Sequence, residues 1–170
     1  MSFPRPGAAK GALAPREPRE PMLKLPKKTI LALEAVVDVA YNARPEPVQA
    51  KEITERQGIP QRYLEQVMQH LVHEGILKGV RGPRGGYRLA RERRRITVGE
   101  IVRLVSKLDA SADDENGASE MGAKVVRPVI DNAVSEMLQQ LDQITIEDLC
   151  RRADDTDVSA RQSEKLDFTI

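Results

Sequence analysis

The sequence predicts a mainly α-helical fold with one small β-hairpin, and two adjacent segments carry that expectation. In the first, Leu64, Val67, Met68, Leu71 and Val72 are spaced i, i+3, i+4, i+7, i+8, one apolar face of a helix. In the second, the strand-like runs Ile76 to Val80 and Tyr87 to Ala90 flank Arg81-Gly82-Pro83-Arg84-Gly85-Gly86. A short amphipathic helix running into a basic, glycine-rich hairpin is the plan of a winged helix-turn-helix, a module that reads duplex DNA.

Taken in order, residues 1–21 contain five prolines with Gly, Ala and Arg, and read as a disordered N-terminal extension. Ile30, Leu31, Leu33, Ala35, Val36, Val37 and Ala40 form an apolar helical pattern from about Lys27 to Asn42, broken by Pro45 and Pro47. A second short helix is expected from about Val48 to Gln57. Gly58 then turns the chain into the third helix, completing a helix-turn-helix. Pro60 suits the first turn of that helix and Gly75 its left-handed stop. Its polar face carries Gln61, Arg62, Glu65, Gln66, Gln69 and His73, side chains able to address base edges.

In the hairpin, Gly82, Gly85 and Gly86 permit positive φ and close backbone approach, and Arg81 and Arg84 are placed to enter a minor groove. A nucleotide-binding loop is disfavoured, because the run lacks the Gly-Lys-Ser/Thr ending and follows its helix instead of opening one. After the wing, Thr97 and Glu100 read as a capping box opening a helix to about Leu108. An acidic loop, Asp109 to Gly122, leads to a longer helix from about Ala123 to Leu141. Its stripe of Val126, Ile130, Val134, Met137 and Leu141 calls for a partner surface, either the chain's own winged helix or a second copy. Thr145 caps a final short helix, Ile146 to about Arg152.

Several of these segments resemble the IscR (Rrf2) family of bacterial winged-helix regulators. The resemblance rests on Arg62-Tyr63-Leu64-Glu65-Gln66 in the helix, and on Val80-Arg81-Gly82-Pro83, Gly85-Gly86-Tyr87 and Leu89-Ala90-Arg91 in the wing. Ile96-Thr97-Val98-Gly99-Glu100-Ile101-Val102 continues it, and the similarity spans about Leu23 to Arg152. It implies that Arg62, Tyr63, Glu65 and Gln66 contact bases or phosphates and that Arg81 inserts from the wing; with Gln61, Gly82, Arg84, Gly85 and Gly86 from the reading of the residues, these form the candidate DNA-binding set. Arg84 departs from the glycine more usual in the family. The resemblance also implies that the long helix dimerises, so that two wings address two half-sites. Four regions follow: residues 1–21 as extension, 22–95 as the DNA-binding domain, 96–152 as linker helix, acidic loop and dimerisation helix, and 153–170 as a flexible tail. Met22 sits where family members usually begin.

Net charge is only +1 over 170 residues, so nothing global points to nucleic acid. The distribution does: residues 76–103 hold nine Lys/Arg against Glu92 and Glu100, whereas residues 109–120 hold five acids and no base. A single cysteine excludes a disulfide framework, and no long apolar run or signal peptide appears, so a cytoplasmic protein without a membrane span is expected. No paired carboxylates, nucleophile–base motif or cofactor loop marks an enzyme.

Cluster-binding members of the family carry three cysteines in the loop corresponding to Asp109–Gly122, and this loop has none. An iron–sulfur cluster needs several thiolates, so no metal or other cofactor is expected. His70 and His73 lie in the third helix, read as a surface-facing pair, and Cys150 reads as a small buried hydrophobe. The chain ends Asp167-Phe168-Thr169-Ile170. That ending resembles the tail of serine acetyltransferase, whose terminal isoleucine enters cysteine synthase, and cluster-free cysteine-metabolism repressors of the family also associate with that enzyme. The expected function is a dimeric, sequence-specific DNA-binding repressor with cysteine synthase as candidate partner. The alternatives are a winged-helix interaction adaptor that has lost DNA binding, and a cluster-free regulator with another effector.

Overall fold

A computed structural model describes residues 24–43, 45–110 and 119–156. The expected extension, residues 111–118 of the acidic loop and residues 157–170 of the tail lie outside the described residues; residues 153–155, expected as tail, instead continue the last helix. Helix α1 spans Lys27–Asn42, α2 Ala50–Gln57 and α3 Gln61–His73. Strands β1 (Leu77–Val80) and β2 (Gly86–Leu89) pair in antiparallel register, Leu77 opposite Leu89 and Val80 opposite Gly86. A 3₁₀ turn at Arg93–Arg95 leads to α4 (Val98–Ala110), α5 (Arg127–Asp142) and α6 (Ile146–Asp155).

The apolar face read from α3 is the one the fold buries: Leu64, Val67, Met68 and Leu71 are inaccessible, and Val72 is half-buried. They pack with Ala32, Ala35, Val36 and Val39 of α1, Ile53 of α2, and Ile101 and Val105 of α4. Removing this apolar surface from water is the main favourable contribution to folding. Helix α3 ends in a Schellman motif. Gly75, at φ 71°, donates to the Val72 carbonyl and Ile76 to the Leu71 carbonyl, and Ile76 and Leu71 both sit in the core.

The second helix begins two residues later than its pattern suggests. Val48 is taken up by the sheet: it donates to the Tyr87 carbonyl (3.0 Å) and accepts from Tyr87 N–H (2.7 Å). Helix α2 therefore starts at Ala50, under a capping box between Gln49 and Glu52. The box expected at Thr97 is made on one side. Thr97 Oγ1 accepts from Glu100 N–H at 3.1 Å, but the Glu100 carboxylate turns to Arg91 at 2.7 Å. Thr145 caps α6 with a complete box to Asp148.

One π-helical turn, Gly122–Val126, precedes α5, with Arg127 N–H donating to the Gly122 carbonyl. Pro128, in the first turn of α5, supplies the reason. A proline lacks the N–H for an i→i−4 bond and crowds the carbonyl four residues back, which widening the turn relieves. The C-terminal end of α5 is tied to α4 by Arg103, whose guanidinium makes two bonds to Asp142 (2.6 and 2.5 Å). The hydrogen bond from Arg103 holds the Asp142 carboxyl below its ordinary range. The tie therefore persists at neutral pH and is lost only as pH falls below the ordinary carboxylate range.

Asp38, on α1, is buried and charged. Arg56 at the end of α2 grips it twice (2.6 and 3.0 Å), and Gln57 Nε2 donates at 3.0 Å. Burial works against the Arg56 charge, but its hydrogen bond to Asp38 and the surrounding carboxylates raise its pKa overall. Replacing Asp38 with alanine strands a guanidinium whose side chain is only 12% exposed. Equilibrium unfolding of D38A should show a loss of about 3 kcal/mol.

Candidate nucleic-acid interface

Two elements converge on one groove, the start of α1 and the exposed face of α3, and the wing follows α3 directly in the chain. Gln61, Arg62, Gln66 and Gln69 are exposed along α3, with Tyr63 and Glu65 half-buried. Gln61 Nε2 donates to Glu65 Oε1 at 2.9 Å, one helical turn on. Glu65 also lies close to Tyr87 of β2, whose hydroxyl pKa is raised by burial and then by the Glu65 charge. Arg62, Tyr63 and Gln66 share a groove of about 630 Å³ with Lys27 and Leu31 of α1 and Pro60. Sequence reading missed Lys27 as part of this surface; its signal was the Lys27-Lys28 pair at the start of α1.

His70 does not face solvent with His73. Its Nε2 lies 3.1 Å from the Leu104 carbonyl of α4, so the ring is a half-buried donor there, while His73 is exposed. The expected surface pair is therefore one surface histidine and one interhelical hydrogen bond.

The wing tip is a turn, Gly82-Pro83-Arg84-Gly85, closed by Gly85 N–H to the Gly82 carbonyl (2.9 Å), with proline at its favoured second position. Positive φ within the wing is confined to Gly82 (118°). Gly85 and Gly86 are required for another reason. A Cβ on Gly85 would strike the Val80 carbonyl, and one on Gly86 the Val48 carbonyl. The close approach that favours these two glycines comes from the chain's own backbone.

The two wing arginines differ. Arg81 is exposed and has no ion-pair partner among the described residues. Arg84 meets Glu46 at 3.0 Å, linking the tip to the α1–α2 connection, but both side chains are largely exposed. A pair so solvated contributes little and is easily exchanged for another anion. Arg88 donates to the Pro45 carbonyl, a second tie between wing and connection.

Along the π turn and α5 the expected stripe divides. Val126, Ile130 and Val134 are exposed, joined by Met121, Val125 and Val129, whereas Met137 and Leu141 are half-buried at the end lying against α4. Met121, Val125 and Val129 follow one another at four-residue spacing, a signal legible in the sequence. With Val129 66% and Ile130 55% exposed, this is a continuous apolar surface of the kind that marks an interaction site.

A helix-turn-helix followed by a basic wing defines a winged-helix DNA-binding protein. A family profile described as Rrf2, iron-dependent transcriptional regulator, matches residues 25–152, and the chain belongs to that family. It is 36% identical over 144 residues to the HTH-type transcriptional regulator IscR of Klebsiella pneumoniae, covering 84% of this chain and 88% of the relative. Among solved structures it resembles T. potens IscR (TM-score 0.62, 35% identity, 78% of this chain and 89% of that one). It also resembles CymR, the global cysteine regulator of B. subtilis (TM-score 0.58, 30% identity, 77% and 98%). These relatives are transcriptional regulators, and the chain is a DNA-binding regulator of that kind, not an enzyme.

One cysteine cannot supply the several thiolates of an iron–sulfur cluster, and the described residues do not fit the iron that the family description invokes. The single cysteine of the chain, Cys150, is 2% exposed in the core. Burial pushes its thiol pKa up, against the opposing effect of an Arg93 hydrogen bond, so it is a poor thiolate. Among the described residues no three His, Cys, Asp or Glu side chains are grouped to hold a metal ion. Nor, among those residues, is any helix long and apolar enough to cross a membrane.

Proposed function

We propose that the chain is a homodimeric transcriptional repressor of the cytoplasm that works without an iron–sulfur cluster. The observation that carries the DNA reading is the groove shared by Lys27, Arg62, Tyr63 and Gln66, beside a wing whose Arg81 is exposed and has no ion-pair partner among the described residues. In this reading the domain of residues 22–95 binds DNA. Gln61, Arg62, Tyr63, Glu65 and Gln66 enter the major groove, and Arg81 and Arg84 reach the neighbouring phosphates or minor groove. Gly82, Gly85 and Gly86 shape the tip. About six phosphate contacts would give operator affinity a log–log salt slope near −5. Arg81→Ala should weaken binding about tenfold and reduce that slope by about one. Arg84→Ala should cost less, since Arg84 must first leave Glu46. Fluorescence anisotropy across a salt series reads both, and a flat response would favour an adaptor that no longer binds DNA.

Residues 96–152 serve dimerisation, supported by the exposed face around Val126, Ile130 and Val134, while Met137 and Leu141, half-buried against α4, anchor the helix that carries it. A two-fold pair would place two wings on half-sites about one DNA turn apart. A V129E/I130E double variant should sediment as a folded monomer with operator affinity reduced at least a hundredfold. An unchanged dimer would place the interface elsewhere.

A link to sulfur metabolism is the finer reading. It is supported by the likeness to a global cysteine regulator and by the Asp167-Phe168-Thr169-Ile170 sequence, which lies outside the described residues. Cysteine synthase would capture this tail, its pocket taking Ile170. By linkage, synthase would then shift operator affinity, and operator would shift synthase affinity by the same factor. Calorimetry should show saturable synthase binding that vanishes when Ile170 is deleted. Equal binding by both forms would remove the tail from the mechanism.

A further inference from the structure

At the base of the wing, beyond the end of the strands remote from the Arg81–Gly86 tip, lies an open cavity of about 680 Å³. Its volume falls within the usual range for small-molecule sites, about 300–1,000 Å³. Val39, Ala40, Ala43 and Leu89 give it an apolar part. Lys78, Arg88, Arg91, Arg93, Arg94 and Arg151 surround that part, against two carboxylates, Glu92 and Glu147.

The carboxylates are already shared. Glu147 holds Arg93 at 3.1 Å and Arg151 at 3.7 Å, and Glu92 holds Arg94 at 2.6 Å and Arg95 at 3.9 Å. Arg91 is paired with Glu100. Lys78 and Arg88 have no carboxylate partner among the described residues, and they stand directly opposite each other across the hairpin. Two like charges in register across strands destabilise a sheet. An anion placed between them would convert that repulsion into two charge-assisted contacts, and guanidinium forks suit phosphate oxygens. None of the residues assigned to the DNA face lines this cavity.

We propose that this cavity binds a phosphorylated small molecule as an effector, with its phosphates among Lys78, Arg88 and Arg94 and its apolar body against Val39 and Leu89. The effector role rests on the DNA-binding reading above; the binding itself does not. Arg88 supplies the route to the operator. It also holds the Pro45 carbonyl in the connection entering α2, so a ligand drawing Arg88 inward competes with that tie.

The test uses the full-length protein with ADP, whose diphosphate and flat base match the two parts of the cavity, and with pyrophosphate as the purely polar comparison. Calorimetry should show saturable binding of ADP, tighter than of pyrophosphate. It should weaken at least tenfold in a K78Q/R94Q variant whose melting temperature is unchanged, since both side chains are exposed. Saturating ADP should lower operator affinity at least threefold in the parent and leave the variant unaffected. Four results would overturn the proposal. Neither probe binds; the variant binds ADP as the parent does; ADP binds without altering operator affinity; or the ADP-free variant shows a salt slope smaller by about two. That last result would assign the cluster to the DNA backbone.

Discussion

The buried carboxylate of Asp38 sets the geometry on which the placing of α2 and α3 depends. A charge taken out of water is costly unless it is paired and hydrogen-bonded, and here Arg56 and Gln57, the last turn of α2, supply the partners. Helix α2 can satisfy Asp38 in only one orientation relative to α1. Because Gly58, Ile59 and Pro60 alone separate α2 from α3, that orientation also limits where α3 can lie. Core apolar contacts tolerate sliding more readily than a two-pronged guanidinium–carboxylate contact, whose fork must meet both oxygens.

The wing is oriented by a second set of directional contacts. The two hydrogen bonds between Val48 and Tyr87 add a short third strand segment to the hairpin. Gly86 is the residue that lets the Val48 backbone come that close. Arg84 to Glu46 and Arg88 to Pro45 fasten the same two segments at the surface. An isolated two-stranded hairpin is marginal in water. This one is held to the segment that opens the helix-turn-helix, which fixes the wing relative to α1 and α2.

Helix α5 is anchored at one end only. Its C-terminal turn is fixed by Arg103 and Asp142, while toward its N-terminus six apolar side chains from Met121 to Val134 meet solvent. The π turn before Pro128 keeps the segment helical through a residue that would otherwise break it, prolonging the apolar surface by a turn. A helix that exposes this much apolar surface is poorly explained as part of an isolated subunit.

The sequence by itself determined what is periodic or stereochemically local. The buried face of α3 was legible from the spacing of Leu64, Val67, Met68 and Leu71, and α1 from Lys27 to Asn42 was legible because proline ends the pattern. Gly75 and Thr145 announced a helix stop and a helix start because backbone geometry at those points admits few residue types. Only the tertiary structure decided the contacts between segments distant in sequence. Val48 leaves the helical pattern because Tyr87 offers it hydrogen bonds. His70 turns inward because the Leu104 carbonyl lies opposite. Arg84, alike Arg81 in sequence, differs from it because Glu46 is placed within reach. Met137 and Leu141 separate from Val126, Ile130 and Val134 because α4 covers one end of α5. A linear pattern specifies which face of an element is apolar, but which surface meets that face depends on where the other elements pack.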